Sequence, residues 1–259
     1  MALDQRVVLV TGAGAGIGRA IARGMAGAGA RVACADIDES AAQSTAQTIQ
    51  ADGGESLALA ADVGDLQQID RMVGEVTEQM GPIDVLVNNA GVTIRKYIMD
   101  VSEEDWDRIH RVNAKGVFFC LQRVARDMIV RGGGSIVNIA SISGRGYAGT
   151  SNAAYSASKG AVISMTRTAA QQLGEHGINI NAVCPGVTRT PLLERSMARR
   201  AAAMNVSVEE AERRVVATVP IGRLNDPEDI AALAVFLASP AARNITGQAM
   251  NVDGGIITS

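Results

Sequence analysis

The chain is short of the residues that most often announce chemistry. Among 259 residues it has three cysteines, two histidines and only 3% aromatics. Cys34, Cys120 and Cys184 lie far apart, with no Cys-x-x-Cys pair and no Cys/His cluster. That spacing supports neither a metal site nor a disulfide framework. Reduced, mostly buried thiols in a cytoplasmic protein are the expectation. His110 and His176 sit in polar helical contexts with no acid partner in view, which argues against a histidine acid–base centre. No run approaches the ~18 apolar residues of a membrane span. The opening MALDQRVVLVTG has no apolar signal-peptide core. A net charge of −3 gives no electrostatic reason to expect nucleic acid.

What the chain does have is 47% hydrophobic residues and 28 glycines. Abundant Ala, Val, Ile and Gly suit helices packed closely on a buried parallel sheet. Seven apolar runs read as strands: 7–10, 32–35, 57–60, 85–87, 135–139, 178–183 and 248–252. Helical periods fill the gaps at 17–28, 39–52, 66–80, 103–130, 155–175 and 227–238. This alternation predicts βαβ units around a parallel sheet. Gly29, Gly53, Gly81-Pro82 and Gly177 mark helix ends, and Asp226-Pro227 reads as a cap followed by a first-turn proline. No linker or solenoid repeat breaks the chain, so one domain over 1–259 is expected. Residues 188–218 interrupt the rhythm with polar, Ala/Arg-rich helical stretches. Helical stretches at 191–205 and 208–218 predict an ordered or semi-ordered flap over the carboxyl ends of the strands, where α/β ligands bind.

The first strand runs into Gly12-Ala13-Gly14-Ala15-Gly16-Ile17-Gly18, a strand–turn–helix anion site. Glycines let backbone approach a pyrophosphate, and helix N–H groups favour its charge. Asp36 ends the second strand, at the distance where an acidic residue bonds the ribose 2′-hydroxyl of NAD. A 2′-phosphate would meet that carboxylate, so NAD is favoured over NADP. Tyr155 and Lys159 are four apart on a predicted helix and share a face. A cation beside a phenol favours the phenolate, which makes the pair able to exchange a proton with an alcohol.

Taken in order, TGAGAGIG (Thr11–Gly18), Asn88-Asn89-Ala90-Gly91, YSASK (Tyr155–Lys159) and Pro185-Gly186 resemble the compact short-chain dehydrogenases/reductases. The likeness runs from Val7 to Gly255. It implies a three-layer α/β Rossmann fold with a seven-stranded, doubly wound parallel sheet. It also implies Tyr155 as acid/base, Lys159 as its activator and Ser141 as donor to the substrate oxygen, with Ser143 as a rival for that serine. Asn113 would hold a water against the lysine. Gly12, Ala15, Gly16, Ile17 and Gly18 would carry the cofactor phosphates. Asp62 and Val63 would meet the adenine, and Asn89, Ala90 and Gly91 would line the ribose and nicotinamide. Pro185, Gly186, Val187 and Thr188 would clamp the carboxamide. Besides Ser143, the residues Arg95, Tyr147 and Asn152 are candidates to face the substrate.

The leading expectation is an NAD-dependent dehydrogenase interconverting a secondary alcohol or polyol with its ketone. A 3-oxoacyl thioester reductase is the second reading, opposed by Asp36 because those relatives usually prefer NADPH. A non-catalytic NAD-binding regulator is the third. The resemblance further implies a homotetramer, paired through the helices at 103–130 and 155–175.

Overall fold

The computed structural model describes residues 2–147, 149 and 152–258. Seven strands form one sheet: β1 (Val7–Thr11), β2 (Arg31–Asp36), β3 (Ser56–Ala60), β4 (Val85–Asn88), β5 (Gly134–Ile139), β6 (Ile178–Pro185) and β7 (Ala249–Val252). Their order is β3-β2-β1-β4-β5-β6-β7, and every pairing is parallel. The doubly wound, seven-stranded sheet expected from the sequence is what forms.

Period-two alternation sorts the strand side chains to the two faces. Val8 and Val10 face α1 (Gly16–Gly27), α2 (Glu39–Ala51) and α9 (Pro227–Ala238). Val7 and Leu9 face α3 (Leu66–Met80) and α5 (Val117–Arg131). The helix α6 (Ala153–Leu173) lies over β5 and β6 on that second side. Each such aliphatic side chain contributes about 1.5–3 kcal/mol on burial, which explains why so few aromatics suffice. The buried Cys34, Cys120 and Cys184 are free thiols inside these layers. Burial pushes Cys34 and Cys120 up to about 12, so they are inert packing groups. Among the described residues no helix is long and apolar enough to cross a membrane.

One stretch differs in detail from the sequence reading, and one follows it. The single helix expected over 103–130 is three pieces: α4 (Glu103–His110), a π-helical turn (Arg111–Gly116) and α5. The turn takes in one extra residue because the Asn113 side chain is drawn inward to backbone outside the helix. The stretch after β6 contains two capped helices, α7 (Pro191–Met204) and α8 (Val208–Val216). Thr190 and Ser207 cap them, and Met197, Ala201, Ala211 and Val215 give them a small core of their own.

The strand order reverses between β1 and β4: the chain winds outward through β2 and β3 on one side, and through β5 to β7 on the other. At such a point the connections leave to opposite faces and open a crevice at the carboxyl ends of the strands.

Candidate active site

The floor of the crevice is the junction of β1 and β4. Gly12 has φ +64°, a left-handed conformation that suits glycine. A Cβ there would also lie 2.8 Å from the Ala90 Cα. A Cβ on Gly18 would collide with the Gly12 carbonyl, so the start of α1 can press onto the turn only without one. Asn89 ties the two strand ends together. Its Nδ2 donates to the carbonyls of Thr11 and Gly12 at 3.0 and 2.9 Å. The Thr11 hydroxyl accepts from the backbone N–H groups of Asn89 and Ala90.

Asp36 stands at the end of β2 beside this turn. Its Oδ2 accepts from the Gly14 N–H at 2.8 Å and its Oδ1 from the Asp38 N–H at 3.1 Å. The carboxylate is half-buried, and its remaining lone pairs are available to hydroxyl donors. Ile37, not singled out from the sequence, is 72% exposed next to it. An apolar residue directly after a strand-ending Asp was the available signal. Asp62 accepts from the Gly64 N–H at 2.7 Å and faces Arg111 at 3.9 Å. The Val63 carbonyl would lie 2.7 Å from a Cβ on Gly116, so this loop rests on the π-helical turn. At the end of β6, Gly186 donates to the Val252 carbonyl at 2.8 Å, and the Thr188 hydroxyl donates to the Gly186 carbonyl at 3.1 Å. Asn225 donates to the Val187 carbonyl, which keeps the Pro185–Thr188 segment on the adjoining loop. Asp253 accepts from the Gly255 and Ile257 N–H groups at 3.0 and 2.9 Å, closing the turn that follows β7.

Tyr155 and Lys159 lie one turn apart on α6, pointing toward the ends of β4 and β5. Asn152 caps this helix, its Oδ1 accepting from the Tyr155 N–H at 2.8 Å. Its Nδ2 donates to the Ile94 carbonyl at 2.6 Å. Asn152 is thus 7% exposed with both ends of its amide held by backbone. Lys159 is 3% exposed; its ammonium donates to the Ile139 carbonyl at 2.7 Å and lies 5.9 Å from the Tyr155 ring centroid. Burial lowers its pKa to about 8, partly opposed by Cys184.

The expected lowering of the tyrosine does not hold in the protein by itself. Burial pushes the Tyr155 phenol up from its ordinary value, and a hydrogen bond with Ser141 only partly pulls it down. The reason is geometric: the ammonium is directed at a carbonyl, and a buried phenolate is penalised by lost hydration.

Ser141, two residues past the end of β5, is buried and its Oγ accepts from the Ser143 N–H at 3.1 Å. That bond leaves the Ser141 proton free to donate. Ser143 is 1% exposed beneath it. Tyr147 is half-buried and packs against the cluster that includes Val117 and Ile142. Asn113 is fully buried: Oδ1 accepts from the Val92 N–H at 2.8 Å, and Nδ2 donates to the Val92 carbonyl and to Ser158 Oγ at 2.9 and 3.1 Å. A Cβ on Gly91 would lie 3.3 Å from Asn113 Oδ1 and 3.4 Å from Lys159 Nζ. The bare glycine therefore lets the amide and the ammonium both stand close against the Gly91 backbone. Arg95 is exposed and bonds Ser196 and the Gly149 carbonyl. The histidines are elsewhere: His110 stacks on Trp106, and His176 stands 3.9 Å from Glu175 at the surface.

A phenol, a serine hydroxyl and a buried ammonium therefore converge at the mouth of a crevice of the dinucleotide-binding type. Such an arrangement can hold an alcohol oxygen and move its proton. The fold and crevice define a Rossmann-type oxidoreductase architecture.

Comparison with known proteins agrees. A family model described as enoyl-(acyl carrier protein) reductase matches residues 12–257. The chain is 43% identical to a sorbitol dehydrogenase of Cereibacter sphaeroides over 256 residues, 98% of each chain. It is 43% identical to a galactitol 2-dehydrogenase of Agrobacterium fabrum over 257 residues, again 98% of each. A (3R)-3-hydroxyacyl-CoA dehydrogenase of Mus musculus is 40% identical, covering 98% of this chain and 97% of its own. A solved short-chain type dehydrogenase/reductase from Mycobacterium marinum superposes with a TM-score of 0.90 at 35% identity, covering 99% of this chain and 97% of its own. The chain belongs to the short-chain dehydrogenase/reductase family, whose members are oxidoreductases that use a nicotinamide cofactor.

Proposed function

We propose that the protein is an NAD-dependent dehydrogenase acting on a secondary alcohol, with a polyol as the leading substrate class. The observation that carries the reading is the convergence of Tyr155, Ser141 and Lys159 on one side of the switch-point crevice. The residues present fit NAD. The glycine-rich turn is open to a pyrophosphate, and the Asp36 carboxylate has lone pairs for ribose hydroxyls but would repel a 2′-phosphate. Ile37 offers an apolar surface beside it. Bound NAD supplies the hydride acceptor.

The chain's own residues handle the proton. Ser141 donates to the alcohol oxygen and holds it beside the phenol, a contribution of a few kcal/mol as negative charge develops there. Tyr155 takes the hydroxyl proton. Lys159 supplies a fixed positive charge that opposes the penalty burial places on the phenolate. Asn113, whose Oδ1 keeps one lone pair beyond its bond to the Val92 N–H, is read as the holder of a water through which the proton returns to solvent. The segment from α7 to α8 is read as the flap over the substrate, on one domain spanning the chain.

The polyol class rests on the two sugar-alcohol dehydrogenases at 43% identity. The hydroxyacyl-CoA dehydrogenase at 40% keeps a 3-hydroxyacyl thioester as the second reading. A panel of polyols, diols, simple secondary alcohols and 3-hydroxyacyl thioesters with NAD or NADP, read at the NADH absorbance, separates them. Fastest turnover of a polyol with NAD is expected; turnover confined to thioesters moves the assignment to the second reading, and no turnover of any alcohol despite NADH binding leaves a non-catalytic nucleotide binder. The reading includes a homotetramer, with the exposed Trp106 and Phe118 covered by a second copy; light scattering measures the assembled mass.

A further inference from the structure

Arg95 joins three segments that are remote in sequence. Its Nη1 donates to Ser196 Oγ on α7 at 3.1 Å, across 101 positions. Its Nη2 donates to the Gly149 carbonyl at 3.3 Å, across 54 positions, in the loop leading to α6. The strand-end segment that carries Arg95 is itself anchored. Asn113 holds both backbone groups of Val92, and Asn152 holds the Ile94 carbonyl. Six residues before Ser196, α7 is capped by Thr190, whose methyl would lie 3.1 Å from a Cβ on Gly16. The first two turns of the helix therefore run from the glycine-rich turn to the Arg95 segment, over the crevice between them.

We propose that Arg95 is the latch of this roof: its guanidinium fork fastens α7, through Ser196, to the anchored 92–95 segment and the loop ahead of the Tyr155 helix. Both acceptors are neutral oxygens, so the fastening is a pair of directional hydrogen bonds, each strong enough to hold and weak enough to release. Planarity matters here, since a lysine cannot reach two acceptors in fixed directions. Arg95 acts as a positioning residue: opening the latch frees α7 to lift, which loosens α7–α8 and lets a bound nucleotide leave. The second consequence rests on the cofactor reading given above; the first does not.

Arg95→Ala, Arg95→Lys, Ser196→Ala and the Arg95→Ala/Ser196→Ala double variant test it with two readouts. Digestion of the cofactor-free protein by a glutamate-specific protease at Glu194, Glu209, Glu210 and Glu212 reports local opening of the helices that carry them. Stopped-flow displacement of NADH reports its release. Losing a hydrogen bond of this kind should speed both by about 2- to 12-fold. Arg95→Lys should resemble Arg95→Ala, and the double variant should match Arg95→Ala, because one contact is removed only once. Ser196→Ala is the conservative probe should Arg95→Ala fold poorly. Wild-type digestion rates in Arg95→Ala and Ser196→Ala, or additive effects in the double variant, would overturn the latch. Faster digestion in a protein that binds no NADH would uphold the latch and overturn the cofactor reading instead.

Discussion

Replacing Lys159 by methionine should stabilise the cofactor-free protein at neutral pH while destroying its turnover. Lys159 is 3% exposed, and burial lowers its pKa from 10.5 to about 8. At 1.36 kcal/mol per pH unit, holding the ammonium in the fold below pH 8 costs about 3 kcal/mol. Methionine is similar in length and uncharged. It leaves the Ile139 carbonyl, which accepts from Nζ at 2.7 Å, without a donor, a loss of about 1–2 kcal/mol. The net expectation is a gain of about 1–2 kcal/mol at neutral pH. Its sign with pH is defined. Between about pH 8 and 10.5 the unfolded chain holds a proton here that the folded chain has released, so wild-type stability rises across that window. The advantage of Lys159→Met should therefore shrink and vanish as pH rises. Urea unfolding of both proteins from about pH 6.5 to 9.5, extrapolated to water, measures the difference. A variant that is less stable at neutral pH, or whose difference is independent of pH, refutes the reasoning.

Asp36→Asn removes the charge beside the cofactor turn and keeps an acceptor for the Gly14 N–H. The ratio of kcat/KM with NAD to that with NADP should fall by about 10- to 100-fold; an unchanged ratio counts against Asp36 as the selector. Gly91→Ala puts a methyl 3.3 Å from Asn113 Oδ1 and 3.4 Å from Lys159 Nζ, so the two must part by a few tenths of an ångström. A drop of about tenfold in kcat with little change in melting temperature is expected. Unaltered kcat would mean that the close approach of Asn113 and Lys159 at Gly91 has no part in turnover.

Much of the fold was legible because its signals are local. Apolar runs of strand length alternate with 3.6-residue periods, glycines stop the helices, and a capped proline starts one. The Gly81 end of α3 and the Asp226-Pro227 start of α9 form where those signals lie. The π-helical turn was not legible. Its cause is a tertiary bond from Asn113 to Val92, 21 residues away, and the helical period continues through 103–130 without a break. The Tyr155–Lys159 pair was readable because four residues fix one helix face. The cap role of Asn152 was also there to be read, as an Asn three positions before Tyr155 at the start of a helical period. The raised phenol was not, because burial and the aim of the ammonium at Ile139 depend on packing between α6 and the sheet. The contact of Arg95 with Ser196 joins residues 101 apart and carries no local pattern.

The central claim is that the Tyr155 hydroxyl exchanges the substrate proton. Tyr155→Phe removes one oxygen from a half-buried side chain and leaves the crevice walls intact. Equilibrium titration of NADH fluorescence and steady-state oxidation of the best alcohol should be measured side by side. The account predicts NADH binding within about twofold of wild type and a kcat reduced by roughly 10²- to 10⁴-fold. Near-native kcat in Tyr155→Phe would contradict it.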